Sequence, residues 1–249
     1  LAAASGQMPA STSLWAGADG HTQGEVHTGD GRLAVVAAQR QRVETSGRVR
    51  SWARLAVLDA SAEEMWSLPE LTSGHRYSAA LLPGTVIAGA WPRGAAAAPL
   101  AAYDAVSGER LWQVTAWPQP PGLSELLADA ERIFAIIDTD DGRGVARFDI
   151  TTGEELWRWL PGDGSPERLA LDGEVLLVLG ADRLWALNAS TGRDRGSRAV
   201  AAAPGAGFAA ARGLLVYAPV PGAAAGYRPG VTAISVETGE EVWHALDGL

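Results

Sequence analysis

An eleven-residue frame recurs along this chain, and a chain built from one repeated unit can adopt only a few architectures. Four copies align without gaps: Ala102–Trp112 (AYDAVSGERLW), Arg147–Trp157 (RFDITTGEELW), Ala186–Gly196 (ALNASTGRDRG) and Ala233–Trp243 (AISVETGEEVW). A fifth, Val57–Trp66 (VLDASAEEMW), joins them if one residue is deleted at the turn. The frame reads small, apolar, Asp-like, three residues, Gly, three residues, Trp. Its Asp-like column holds Asp59, Asp104, Asp149, Asn188 and Ser235, spaced by 45, 45, 39 and 47 residues. A period of about 20–50 residues is the mark of solenoids, propellers and arrays.

The repeated unit is made of strands. Upstream of each frame lies a short apolar run: Arg32–Ala38, Thr85–Ala90, Arg132–Asp138, Glu174–Leu179 and Leu214–Pro219. Each is rich in Val, Ile and Leu and bounded by Gly, Asp or Pro, which suits a buried strand and is too short for a typical helix. Asp141-Gly142 predicts a hairpin between one such run and the next strand, because Gly accepts the positive φ of a tight turn. Gly108, Gly153, Gly192 and Gly239 sit at turns for the same reason, each preceded by Ser or Thr able to bond the local backbone. A further strand precedes each central run, at Ser78–Leu82, Leu123–Leu127, Arg168–Leu171 and Phe208–Ala211.

Four antiparallel strands in about 45 residues, repeated, predict an all-β chain, a β-propeller of about five four-stranded blades. Their approximate bounds are 29–70, 71–116, 117–160, 161–200 and 201–249. Residues 1–28 form an N-terminal segment able to add strands to a terminal blade. An open β-solenoid is the less favoured arrangement, since its coils are usually shorter.

The frame, best seen in AYDAVSGERLW and RFDITTGEELW, resembles the tryptophan-docking motif of the pyrroloquinoline-quinone (PQQ)-type propeller repeat, and the match runs from about Arg32 to Leu249. The resemblance implies that Trp66, Trp112, Trp157 and Trp243 dock between neighbouring blades, with the turn glycines Gly108, Gly153, Gly192 and Gly239 grouped with them as structural docking positions. The fourth repeat has Gly196 where Trp is expected, so its seam should be looser or filled by a neighbour such as Trp185. Members of this family usually close with six to eight blades, which leaves room for this chain to be an incomplete part of a larger ring.

Outside the frame, Arg40, Arg42, Arg48 and Arg50 cluster on an expected hairpin around Ser46-Gly47. They could meet an acidic partner or anionic lipid, although a solvated pair protecting a sheet edge explains them more simply. Trp91 and Trp117 adjoin Pro92 and Pro118 in loop-like sequence and join the Arg cluster as candidate interaction residues. The acidic stretch Asp138–Gly142 lacks the full spacing of a calcium loop and reads as a polar hairpin tip. Long connections at Trp91–Leu100 and Val220–Gly230, against a short one near Ala181-Asp182-Arg183, suggest a variable rim, and insertions in repeat arrays gather on one, often binding, face.

Composition narrows the function. The net charge of −9, with all 20 basic residues arginine, lacks the basic footprint of a nucleic-acid binder. No apolar run reaches the ~18 residues of an integral membrane segment. No catalytic residue, metal site or cofactor is expected. The favoured function is a non-catalytic binding or scaffold module, extracytoplasmic and bacterial, recognising a protein or small ligand through one propeller face. One alternative is a PQQ-dependent quinoprotein dehydrogenase with calcium, disfavoured by the absence of Cys and by too few blades. Another is a sensor segment of a larger receptor or kinase.

Overall fold

The computed structural model describes residues 21–28, 33–43, 49–69, 71–72, 76–91, 100–114, 123–200, 208–217, 230–238 and 240–245. All strands pair antiparallel, in five sheets that follow one another along the chain, and no helix occurs among the described residues. The first sheet holds β1 (His21–Thr28), β2 (Leu33–Val43), β3 (Val49–Asp59) and β4 (Glu64–Ser67), with the two-residue β5 (Leu71–Thr72) pairing on β3. The second holds β6 (Arg76–Leu82), β7 (Thr85–Trp91), β8 (Ala101–Asp104) and β9 (Arg110–Gln113). The third holds β10 (Leu123–Ala128), β11 (Ile133–Thr139), β12 (Gly142–Phe148) and β13 (Glu155–Trp159). The fourth holds β14 (Pro166–Asp172), β15 (Val175–Gly180), β16 (Arg183–Asn188) and β17 (Asp194–Ala199). The fifth holds β18 (Phe208–Ala211), β19 (Leu214–Tyr217), β20 (Val231–Ser235) and β21 (Glu241–Ala245). Each sheet is an up-and-down meander, and successive first strands pack on one another: β1 and β2 on β6, β6 on β10, β10 on β14, β14 on β18. The molecule is a β-propeller built from four-stranded blades.

The core lies in the seams between blades, which explains why the central strands are apolar without alternation. Side chains of a strand alternate faces, yet both faces of a middle strand here meet a neighbouring blade. In β11, Ile133, Ala135 and Ile137 pack towards the second blade, while Phe134 and Ile136 pack towards the fourth. In β15, Leu176 and Val178 face the third blade and Leu177 faces the fifth.

Three seams are closed at their outer edge by an indole. Trp66 on β4 donates its Nε1–H to the Ala105 carbonyl (3.0 Å), Trp112 on β9 to Ile150 (2.9 Å), and Trp157 on β13 to Ala189 (3.2 Å). In each case donor and acceptor belong to successive blades. The ring lies flat over a turn glycine of the acceptor blade. A Cβ at Gly153 would stand 2.5 Å from Trp112 Cε3, and φ there is +74°. Gly108 and Gly192 hold Trp66 and Trp157 in the same way, with added-Cβ distances of 2.8 and 2.7 Å.

The turn that receives the ring is itself fixed by short polar side chains. The Oδ1 of Asp104 accepts the N–H groups of Val106 (3.0 Å) and Ser107 (2.7 Å), and that of Asp149 those of Thr151 and Thr152 (both 2.8 Å). Asn188 does the same for Thr191 without a charge (2.8 Å). These are Asx turns, in which a side chain stands in for a backbone acceptor. Because they stabilise the anion, the carboxyls of Asp104 and Asp149 titrate below the ordinary Asp range, chiefly through the Ser107 and Thr152 N–H groups.

Three expectations need correction. Trp185 does not fill the fourth seam: it pairs with Val178, shares that residue's face, and packs edge-on against Trp159 in the third seam, centroids 5.6 Å apart. Trp243 stands at the frame position on β21 but is 41% exposed, with no blade packed over it among the described residues. The β11–β12 turn is Asp140-Asp141, one residue earlier than expected, because Gly142 already pairs with Thr139 and its carbonyl accepts the Thr139 hydroxyl (2.8 Å).

Truncating Trp112 to Ala should lower the unfolding free energy, read from urea denaturation, by about 3 kcal/mol. Gly153→Ala should cost more than about 1 kcal/mol and exceed Gly173→Ala, because both have positive φ but only Gly153 also has a ring against it. The Asp carboxyls generate an acid-sensitivity test. A carboxyl whose folded pKa is depressed contributes stability above its unfolded pKa and loses it as pH falls through the folded value. The double variant Asp104→Asn, Asp149→Asn keeps the turn, as Asn188 does, and removes the titration. Its loss of stability between neutral pH and pH about 2.5 should therefore be smaller than that of the parent chain.

Candidate interaction face

Strand direction divides the connections into two sets. Links between first and second strands, and between third and fourth, emerge at one end of the blades. Links between second and third strands, and from each fourth strand to the next blade, emerge at the other. At the first end the connections run from two to six residues, since the docking turns are all there. At the second end they run from two to thirteen. The longest is 218–230, followed by 92–100 and 114–122 at equal length, and the shortest are 140–141 and 181–182.

Of the candidate interaction residues, Arg40, Arg42, Arg50 and Trp91 lie on strands towards that second, variable end. β2 and β3 form one long hairpin whose register sets Arg42 opposite Arg50 and Arg40 opposite Trp52. Arg48 lies in the connection 44–48, outside the described residues, as are the side chains of Arg40, Arg42 and Arg50. Trp91 ends β7, opposite Arg76, and its side chain likewise is not described. Trp117 and Gly239 fall outside the described residues altogether.

The described part of this end is held by polar links. Arg183 reaches Asp163 (3.0 Å) and so ties the β15–β16 tip to the connection 160–165. Arg143 approaches Asp138 (3.4 Å) at the β11–β12 tip. Deeper in, Glu125 on β10 accepts the Leu169 N–H of β14 (2.8 Å) and lies 3.4 Å from Arg168 Nη1, so a carboxylate joins the first strands of adjacent blades. Beside it, burial raises the Glu167 carboxyl against the pull of Arg143 and Arg168. Sequence reading missed Glu125, whose only signal was an acidic residue inside an otherwise apolar first strand.

No cluster of three or more His, Asp or Glu able to hold a metal occurs among the described residues, the Asp138–Gly142 tip included. The chain also has no Cys.

The comparisons agree with this architecture. A family model described as outer membrane protein assembly factor BamB matches residues 51–248. BamB from Moraxella catarrhalis superposes with a TM-score of 0.53 at 19% identity, covering 88% of this chain and 60% of that one. The computationally designed Ika8 protein superposes with a TM-score of 0.50 at 13% identity, covering 91% of this chain and 88% of its own. At such identities the likeness is one of fold, and this chain spans 60% of the length of the Moraxella protein. No curated protein matches. The family model covers most of the sequence, so the chain belongs to the BamB-like family of PQQ-type propeller repeats.

Proposed function

We propose that this chain is a non-catalytic scaffold that binds a protein partner through the variable end of its blades. The observation that carries this reading is the asymmetry of the connections. One end is constrained by docked indoles and Asx turns. The other varies in length from two to thirteen residues and is served by a rigid frame. Binding residues are often found on loops positioned by such a scaffold. The family description supports a role in the assembly of outer membrane proteins and hence a location in the cell envelope, outside the cytoplasm. No helix among the described residues is long and apolar enough to cross a membrane. The Arg-rich β2–β3 hairpin, in a chain of net charge −9, would select an acidic segment of that partner by local charge.

Site-specific photo-crosslinking in the native cell tests this. A crosslinking residue at Ala96 or Ala224, in the long connections, should capture a discrete protein. One at Val106 or Thr151, on the docking turns, should not. Adducts formed equally well from Val106 would refute the assignment of the binding end.

A further inference from the structure

Between the fourth and fifth blades the seam lacks its indole. Gly196 pairs with Ala186 in the same register in which Trp112 pairs with Ala102 and Trp157 with Arg147, and the same register shift follows each pair. The ring that would project from this position is absent, and a cavity of about 470 Å³ takes its place. That volume lies within the ~300–1,000 Å³ range of small-molecule pockets. Its walls include Leu177, Ala186 and Gly196 of the fourth blade and Val236 of the fifth, with Arg198 and Glu237 at the polar rim. An added Cβ at Gly196 would touch nothing within 4 Å, although its φ of +130° would strain any side chain placed there.

The described part of the receiving half of the seam is nevertheless built. In the second and fourth blades the acceptor residue donates its own N–H to a first-hairpin carbonyl, Ala105 to Gly84 (3.1 Å) and Ala189 to Glu174 (3.0 Å). Val236 does so to Gly213 (2.8 Å). The closing bond of the turn is also kept: Ser235 N–H to Glu240 at 2.9 Å, against 2.8 Å for Asp104 to Glu109 and for Asn188 to Arg193. Val236 thus occupies the position whose carbonyl accepts an indole N–H in the other three seams. Arg198 spans the rim, donating to the Thr238 carbonyl (2.7 Å), and keeps the blades together although the ring is missing.

We propose that this seam is a docking site for a tryptophan side chain of a partner polypeptide. The indole lies over the turn of the fifth blade and donates its N–H to the Val236 carbonyl. Three occupied seams of the same chain define the chemistry that such a turn selects: a flat ring with one donor. A polypeptide is the source because the seam opens beside β17, the outermost strand of its blade. Five of the six β17 residues are exposed, so an extended chain can lie along it and present a ring where β4, β9 and β13 present theirs. This site lies at the outer edge of a seam, away from the variable loops, and its failure would leave the loop-end reading standing.

The test uses the full chain and the peptide acetyl-Gly-(5-fluoro-Trp)-Gly-amide, followed by fluorine NMR so that the protein's own ten tryptophans stay silent. The expected result is a saturable shift with a Kd of about 1 mM or below. An analogue methylated on the indole nitrogen should bind about fivefold more weakly, having lost one hydrogen bond. Acetyl-Gly-Leu-Gly-amide should not compete. Ala186→Phe fills the cavity from its floor and Gly196→Trp fills it from β17; in either variant that keeps the parent circular dichroism spectrum, binding should fall by at least about tenfold. No saturable shift, equal binding of the methylated analogue, competition by the leucine peptide, or undiminished binding to a folded filled variant would each overturn the proposal. So would a dimer of this chain that is lost in Trp243→Ala and that blocks the peptide, which would make a second copy the occupant.

Discussion

An indole laid on a glycine of the next blade is the contact on which the rest of this molecule depends. Its constraints propagate in both directions along the chain. The ring needs a bare backbone to approach, so the turn must carry Gly at positive φ, as at Gly108, Gly153 and Gly192. Its N–H must find a carbonyl once it leaves water, so the turn must hold the residue after the Asp-like position in one orientation. That orientation is supplied by Asx turns at Asp104, Asp149 and Asn188. A ring, a glycine and a short polar side chain, separated by fixed spacings, are therefore one device distributed over two blades. Each seam then becomes a nearest-neighbour interface of the kind that stabilises repeat proteins as a sum of local terms.

This coupling explains how much of the fold was legible in the sequence. The Asp-to-Gly-to-Trp spacing is local, so the frame could be read directly, and the step between frames gave the number of strands per blade. The unbroken apolar runs at β11 and β15 were equally readable, since burial on both faces leaves no polar alternation. Glycine-to-tryptophan pairing across blades, by contrast, rests on contacts some 40 residues apart in the chain. The resemblance to a known repeat places the rings between blades, and the structure pairs each ring with its glycine.

What escaped the sequence was decided by direction. Trp185 lies directly before the frame's small position at Ala186, and its side chain can face either seam. The pleat sends it with Val178 towards Trp159. Nothing local marks that choice, because both sides of β16 are apolar seams. The Asp140-Asp141 turn was misjudged by one residue for a related reason. Gly142 is used as the first paired residue of β12, with φ of +126°, and not as a turn corner. The candidate face residues were legible only as positions: strand order places Arg40, Arg42, Arg50 and Trp91 towards the variable end, and no spacing in the sequence specifies what they contact.

The same device also limits where such a protein can change. A docking turn cannot lengthen without moving its carbonyl and glycine away from the incoming ring, so the turns between third and fourth strands stay within four to six residues. The hairpins between second and third strands touch no ring and tolerate insertion at small entropic cost, each doubling of a loop adding only about 0.6 kcal/mol. Length variation is thus pushed to one end of the blades by the packing at the other. Chemical variation at the constrained end takes a different form: it must delete a part and not enlarge one. Gly196 is such a deletion. It removes the ring while the Val236 turn keeps its backbone hydrogen bonds, and Arg198 bridges the gap from two residues further along the same strand. A seam that lost its ring by drift alone would be expected to collapse on its apolar walls, because an empty apolar cavity is destabilising in proportion to its volume. Here Arg198 is hydrogen-bonded across the rim and links the two blades beside the opening.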